Sequence, residues 1–257
     1  MSERELDDGW DLARPAASVL SGVSMAGFCD RASTGSEMRI FARPEVVVVV
    51  QFGESALVRD SGRPAREGLV AGVSPGTHRV RGDRVECVEV RLSPVAAYRL
   101  LGVAPIELNG TVSGLDDLWG PAAGLLREQL AETSGWGGRF AATTRFLAAR
   151  ESARAVDPEV GACWDRILAD RGDVRVRDLA ELTGWSRKRL WHRFTAQLGV
   201  TPKHAAMVVR FRRAFDLLLA GRSAAEVAAV CGYADQSHLH REVSAFAGTT
   251  PGALARR

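Results

Sequence analysis

The chain has 257 residues, of which 46% are hydrophobic and 25% are charged, and its formal net charge is +3 at pH 7. This length suits one large domain or two ordinary ones, and the apolar share is enough to build real cores. The longest unbroken apolar run, residues 46–50, is too short to span a bilayer. The charged N-terminus has no apolar segment of the signal-peptide type, so we expect a cytoplasmic protein with no membrane partner.

The cysteines are isolated along the sequence and form no CxxC pair. A disulfide framework or a zinc site would require closer or regular spacing, so we interpret them as reduced, mostly buried thiols. The four residues are Cys29, Cys87, Cys163 and Cys231.

The first part of the chain has a β pattern. Residues 1–15 are expected to be loosely ordered. The five consecutive valines predict a strand buried on both faces, whereas Val88, Val90 and Leu92 alternate with charged residues, as in a half-buried strand. Short strands at close spacing predict a small β-sandwich or barrel. The predicted strands cover residues 38–42, 45–52, 56–59, 69–73, 77–80 and 85–92.

Helical patterns follow the strands. Ser93 and Pro94 begin a short helix that Gly102 ends, and residues 115–130 and 139–156 predict two amphipathic helices. A wide apolar stripe on these helices can pack on the barrel or face a second subunit, so a homodimer is possible here. The stripe consists of Leu118, Trp119, Leu125, Leu126 and Leu130. We place a domain boundary after residue 157, with domains at 1–157 and 158–257.

Two helix-turn-helix patterns, residues 176–199 and 224–248, dominate the second domain. In each, a short helix carries a small residue, Ala180 or Ala228, where two helices must cross closely. A glycine suited to the left-handed backbone of a helix end follows four residues later, and a polar residue then begins the next helix. The glycines are Gly184 and Gly232, and the polar residues are Ser186 and Asp235.

The second helix of each pattern divides into two faces at about 100° per residue. The inner faces, expected in the core, carry Leu190, Phe194 and Leu198 in the first motif and Leu239, Val243 and Phe246 in the second. The other sides carry donors of the kind that read base edges in a major groove. The candidate DNA-binding residues are Arg187, Lys188, Trp191, His192, Gln236, Ser237, His240 and Arg241.

A long helix is predicted between the two motifs, beginning at Thr201 and Pro202 and ending at Gly221. Its length of about 28 Å is close to the ~34 Å between successive major-groove faces on one side of a duplex. Its arginines, Arg210 among them, are expected on a solvated face. Residues 158–257 carry a net charge of +6 and the rest of the chain −3, which favours contact with phosphate.

Residues 160–257 resemble the DNA-binding domain of the AraC/XylS family of bacterial transcription regulators. The resemblance rests on the paired motifs and on a closing signature at 227–228, 232–233, 236–237 and 248–251. Leu239 and Val243 depart from it, because family members usually have phenylalanine there, and His192 stands where arginine is common. The order of strands and then two helices in residues 1–157 is similar to the family's sensor half, which implies a cupin-like barrel that binds an effector and a helical hairpin that dimerises.

These features predict an α+β protein that regulates transcription by binding double-stranded promoter or operator DNA and responds to a small-molecule effector. We expect no enzyme activity and no cofactor. The β region offers one histidine, His78, whereas a cupin-type metal site needs several ligands, so no metal site is expected. The alternatives are a cupin-like enzyme fused to a DNA-binding module and an interaction adaptor. The apolar strands favour an apolar or aromatic effector over a sugar.

Overall fold

The computed structural model describes residues 9–18, 20–31, 36–54, 56–59, 62–73, 78–152 and 154–254. Except for one short strand at Val112–Gly114, the strands come before the helices, as the sequence predicts. The strands are β1 Trp10–Ala13, β2 Val23–Asp30, β3 Ser36–Ile40, β4 Val46–Gln51, β5 Leu57–Arg59, β6 Pro64–Ala65, β7 Gly68–Ala71, β8 His78–Gly82, β9 Glu86–Leu92 and β10 Val112–Gly114.

The strands form two antiparallel sheets. The larger has the order β1-β2-β9-β4-β7-β10 and the smaller the order β3-β8-β5-β6. The valine strand β4 lies inside the larger sheet, paired with β9 through Val48 and Val90 and with β7 through Val48 and Val70. Two antiparallel sheets of short strands confirm the predicted sandwich or barrel. One face of β4 is fully buried, whereas Val47 and Val49 on the other face are half-buried, so the prediction of two buried faces holds in part.

Four strands were not predicted, namely β1, β2, β6 and β10. The expectation of loose order at residues 9–15 was wrong for β1, which pairs with β2 along Trp10–Ala13. Residues 1–8 of that expectation and Thr77 of the predicted strand 77–80 lie outside the described residues. In β2 a glycine interrupts the apolar pattern, because the Trp136 ring packs where a side chain at Gly27 would stand. Packing against Trp136, and not the local sequence pattern, therefore explains why residues 23–30 form a strand.

The helices begin with α1 and a short 3-10 helix and continue to the C-terminal domain. Their bounds are α1 Pro94–Leu100, the 3-10 helix Pro105–Leu108, α2 Leu115–Trp119, α3 Pro121–Glu132, α4 Trp136–Ala148, α5 Pro158–Ala169, α6 Val176–Thr183, α7 Arg187–Leu198, α8 Pro202–Leu219, α9 Ala224–Val230, α10 Gln236–Ala247 and α11 Pro251–Leu254.

The two helices predicted between residues 115 and 156 have different limits in the structure. Gly120, with φ 54°, separates α2 from α3, because this left-handed backbone cannot continue a helix. Helix α4 starts earlier than predicted, at Trp136, and ends at Ala148. The chain then leaves the helix, and Ser152 Oγ donates to the Arg99 carbonyl at 3.0 Å.

Most side chains of the apolar stripe on α2 and α3 pack into the core of this chain. Leu126 and Leu130 are buried, and Leu118 and Trp119 pack against the same core. Leu125 points the other way and is 67% exposed. The homodimer stays a prediction. In α5, Trp164 and Ile167 are buried, whereas Leu168 is 41% exposed.

A continuous apolar core joins the β region to the C-terminal helices. Phe41, which follows β3, contacts Phe215 of α8 with ring centroids 5.1 Å apart. Further along, the Gly199 Cα after α7 lies so close to the Pro105 carbonyl that a β-carbon there would meet it at 2.5 Å. The helical domain therefore packs tightly on the domain before it.

A bidentate ion pair also fixes the start of the helical domain. Arg193 of α7 donates to both carboxylate oxygens of Asp157, at 2.6 and 2.7 Å, and the Asp157 backbone N–H donates to Gln197 Oε1 at 2.8 Å. The hydrogen bonds from Arg193 hold the pKa of Asp157 below its usual range. The proposed boundary at 157/158 coincides with this junction, where α5 begins.

No helix in the described part of the chain combines the length and the apolar character needed to cross a membrane.

Replacing Leu190 or Leu239 with alanine should destabilise the helical domain by roughly 2–5 kcal/mol, because both side chains are fully buried and each deletion leaves a cavity. Denaturant unfolding measures the free energy. Leu182→Ala is the control, since Leu182 is 53% exposed and its loss should change stability by less than about 0.5 kcal/mol. Equal unfolding midpoints for Leu190→Ala and Leu182→Ala would contradict the assigned inner face.

Candidate nucleic-acid interface and ligand cavity

The first helix-turn-helix unit consists of α6 and α7. Ala180 is buried where the two helices cross. Gly184 ends α6 in the left-handed conformation with φ 67°, as predicted. Ser186 then caps α7, its hydroxyl accepting a hydrogen bond from the Arg189 backbone N–H at 3.2 Å. These local features fix the angle at which α7 leaves the turn.

The second unit consists of α9 and α10 and repeats this geometry. Ala228 is buried at the crossing, and Gly232 has φ 73°. The helix itself is capped one residue earlier, at Cys231. Asp235 caps α10 by accepting from the His238 backbone N–H at 2.7 Å. Both units therefore present a capped helix after a glycine turn.

The inner faces of α7 and α10 are buried as predicted, with Leu190, Phe194, Leu198, Leu239, Val243 and Phe246 all in the core. The opposite faces are open to solvent. Trp191 is 47% exposed and contacts His192 edge-on at 5.0 Å between ring centroids. All eight candidate DNA-binding residues are exposed, namely Arg187, Lys188, Trp191, His192, Gln236, Ser237, His240 and Arg241.

Helix α8 connects the two units. Thr201 caps it by accepting from the His204 backbone N–H at 3.2 Å, and Pro202 occupies its first turn. Its 18 residues span about 27 Å. The helix thus has the length expected for a spacer between neighbouring major-groove faces.

A buried ionic network holds α10 against α8, and sequence reasoning missed it. The expectation of a solvated Arg210 was wrong, because its guanidinium donates to Glu242 of α10 at 2.7 and 3.3 Å. The Tyr233 hydroxyl donates to the same carboxylate at 2.6 Å. Side-chain exposure is 15% for Arg210 and 2% for Glu242. The only sequence signal was an acidic residue on an otherwise basic and polar helix.

Arg210 keeps its charge in this network in spite of its burial. Burial opposes the charge of Arg210, but the hydrogen bonds to Glu242 raise the pKa of the guanidinium above its usual value. Burial and the bond to Glu242 raise the pKa of Tyr233 as well, so its hydroxyl keeps its proton and acts as donor. The Glu242 carboxylate therefore joins α8, the turn between α9 and α10, and α10 itself.

A cavity of about 70 Å³ lies between the two sheets of the β region. Its walls are mainly apolar and come from both sheets, and Phe215 of α8 closes it on one side. The lining side chains include Phe28, Met38, Ile40, Phe41, Val47, Val49, Leu57, Leu69, Val80, Cys87, Glu89 and Phe215.

Two charged groups also line this cavity. One of them is Glu89, which is 5% exposed and faces inward, so the expected alternation of β9 was wrong for this residue. The other is Arg43, which is 8% exposed. Burial lowers the pKa of Arg43 to about 10. Burial works against the charge of Glu89 too, but nearby positive charges, including Arg91 and Arg43, hold its pKa below the usual range. Both groups are therefore charged at neutral pH.

The cysteines are free thiols, with Cys87, Cys163 and Cys231 buried and Cys29 half-buried. Burial raises the pKa of Cys163 to about 11. This agrees with the prediction of mostly buried thiols. His78 is half-buried in β8. No group of three or more His, Cys, Asp or Glu side chains able to hold a metal occurs among the described residues.

Glu242→Gln should destabilise the helical domain by about 3–5 kcal/mol, because it leaves the buried Arg210 charge without its carboxylate. Asp216→Asn is the control, since it breaks the Arg212–Asp216 pair, in which Asp216 is 53% exposed. An exposed pair contributes about 0–1 kcal/mol. Chemical unfolding of both variants checks this, and similar small losses would show that the network does not fix α10.

Residues 179–257 match the family model described as a helix-turn-helix domain. An uncharacterized HTH-type transcriptional regulator of Bacillus subtilis, YbfI, is 40% identical over 67 residues, which are 26% of this chain and 24% of that protein. The match thus spans about a quarter of the relative's length.

Solved structures of two proteins are similar to this chain. ToxT from Vibrio cholerae matches over 92% of this chain and 98% of its own, with 11% identity and a TM-score of 0.50. The C-terminal domain of AraT, a response regulator from Geobacillus stearothermophilus, is 23% identical over 39% of this chain and 86% of its own, with a TM-score of 0.37. Residues 179–257 thus carry a helix-turn-helix domain, which agrees with the resemblance of this region to the DNA-binding domain of the AraC/XylS family, and the chain shares the two-domain fold of ToxT.

Proposed function

We propose that this protein is a sequence-specific DNA-binding transcription regulator that inserts α7 and α10 into successive major grooves. The observation that carries the proposal is the solvent exposure of both polar helix faces while their apolar faces are buried. The spacing by α8 supports it, since about 27 Å separates the ends of that helix and ~34 Å separates neighbouring groove faces.

Within each unit the exposed side chains would divide into two roles. Lys188 and Arg187 lie in the first turn of α7 and would contact phosphate or guanine. On α10, the Gln236 amide could donate to and accept from adenine, and the Arg241 guanidinium could donate twice to guanine. The net charge of +6 on residues 158–257 would attract the duplex and make the affinity depend on salt.

The proposal is tested by a mobility shift on the DNA next to the protein's own gene, repeated at several salt concentrations. Binding that weakens with salt and resists competition by unrelated DNA is expected. An adaptor that does not bind DNA, the alternative open from the sequence, would give no shift at any salt concentration. Competition by unrelated DNA at equal strength would contradict sequence specificity.

We also propose that the N-terminal domain binds a small apolar effector between its sheets. The cavity there is lined mainly by aliphatic and aromatic side chains, and it lies against α8 of the DNA-binding domain. A ligand at this position would touch both domains, which is the arrangement that allows an effector to change DNA affinity. The predicted homodimer remains part of this proposal, with Leu125 of α3 as the exposed apolar contact.

Arg241→Ala should weaken specific DNA binding by ~1–3 kcal/mol, because a bidentate contact with guanine would be lost. The exposed side chain points away from the core, so the unfolding free energy should not change. The measurement is titration of the labelled DNA fragment, with Arg166→Ala of α5 as the control for a lost positive charge away from both recognition helices. If Arg241→Ala and Arg166→Ala bind the site equally well, Arg241 makes no base contact.

A further inference from the structure

A row of aromatic rings leads from the β cavity to the second recognition helix. Phe41 contacts Phe215 at 5.1 Å between centroids, and Phe215 contacts Phe211 on the same helix at 5.7 Å. Phe211 in turn contacts Phe246 of α10 at 5.1 Å. All four rings are at most 6% exposed. The wall of the cavity is therefore connected to α10 through one intervening ring, that of Phe211.

The position of Phe215 is unusual for a residue of the helical domain. It belongs to α8, yet it lines the cavity between the two β sheets. Its ring is 1% exposed and is also covered by the Arg212 guanidinium, 5.3 Å from the ring centroid. The β domain thus receives a phenyl ring from the domain that carries the DNA-binding motifs.

The size of the cavity restricts what it can bind while Phe215 stays in place. Its volume is about 70 Å³, whereas an apolar cavity that holds benzene measures about 150 Å³. Space for an aromatic ligand thus requires a side chain to leave. Phe215 and Phe41 close the cavity on the side of α8, and most other lining residues are held in paired strands.

We propose that the β cavity is a binding site for a small apolar ring and that Phe215 occupies the place of this ring. An effector and Phe215 would then compete for the same space. When the effector binds, the Phe215 ring leaves and its contacts with Phe41 and Phe211 change, which alters the support of α10. This inference rests on the proposed function for its regulatory meaning, but the competition itself does not require DNA.

The competition predicts that a smaller residue at position 215 creates the site. Phe215→Ala in the full chain should bind benzene with a dissociation constant at least about tenfold lower than that of the wild type. The reason is that in this variant no phenyl ring has to leave the cavity before benzene binds. Phe215→Leu should give a smaller gain, and it keeps the test valid if the alanine variant does not fold.

Methionine methyl groups locate the bound benzene. Met38 lines the β cavity, whereas Met25 and Met207 pack against the other core. In protein labelled with 13C at the methionine methyls, benzene should shift the Met38 signal of Phe215→Ala in a saturable way. Phe211→Ala is the matched control: it removes the same side chain one turn earlier on α8, and any cavity it leaves should be reported by Met207 and not by Met38.

A Met38 signal in Phe215→Ala and Phe215→Leu that responds to benzene no more strongly than in Phe211→Ala would overturn the inference. The proposed function is tested separately, by DNA binding of the wild type. A protein that gains the benzene site but binds no DNA would contradict the function and leave the competition intact. A protein that binds DNA but whose Phe215 variants gain no benzene site would contradict the competition and leave the proposed function intact.

Discussion

The structure depends most on the burial of one helix, α8, between the two DNA-binding units and the β domain. Val208, Phe211, Phe215 and Leu218 on this helix are at most 1% exposed. Because each contributes to the same apolar core, a movement of α8 has to be shared by the elements packed on it. The helix thus does more than set the distance between two recognition helices. In the proposed function it is also the part that would carry events in the β domain to DNA.

Two kinds of interaction act on α8 in different ways. Apolar packing tolerates small changes of angle, whereas the Arg210–Glu242 pair has fixed donor and acceptor directions. The pair therefore sets the orientation of α10, and the aromatic row from Phe41 to Phe246 connects that orientation with the β cavity. A core that repacks between discrete arrangements is the physical requirement for control by a ligand.

The sequence predicted the helical domain better than the β domain, for a physical reason. Helix caps such as Ser186 and turn glycines such as Gly184 act locally, and their signals lie within a few residues. Strand β2 depends on Trp136 packing over Gly27, more than a hundred residues away, and the buried charge of Glu89 depends in part on Arg43, which lies in the segment between β3 and β4. Periodicity predicted the exposed faces of α7 and α10. It did not predict that Arg210 is buried or that Phe215 lines the cavity.

Footprinting of the purified protein on the DNA next to its own gene tests the central claim most directly, since it shows how many helices enter the duplex. Two recognition helices spaced by α8 should protect two major-groove segments about one helical turn apart, on the same side of the DNA. Protection of one segment only, or of two segments on opposite sides of the duplex, would contradict the account.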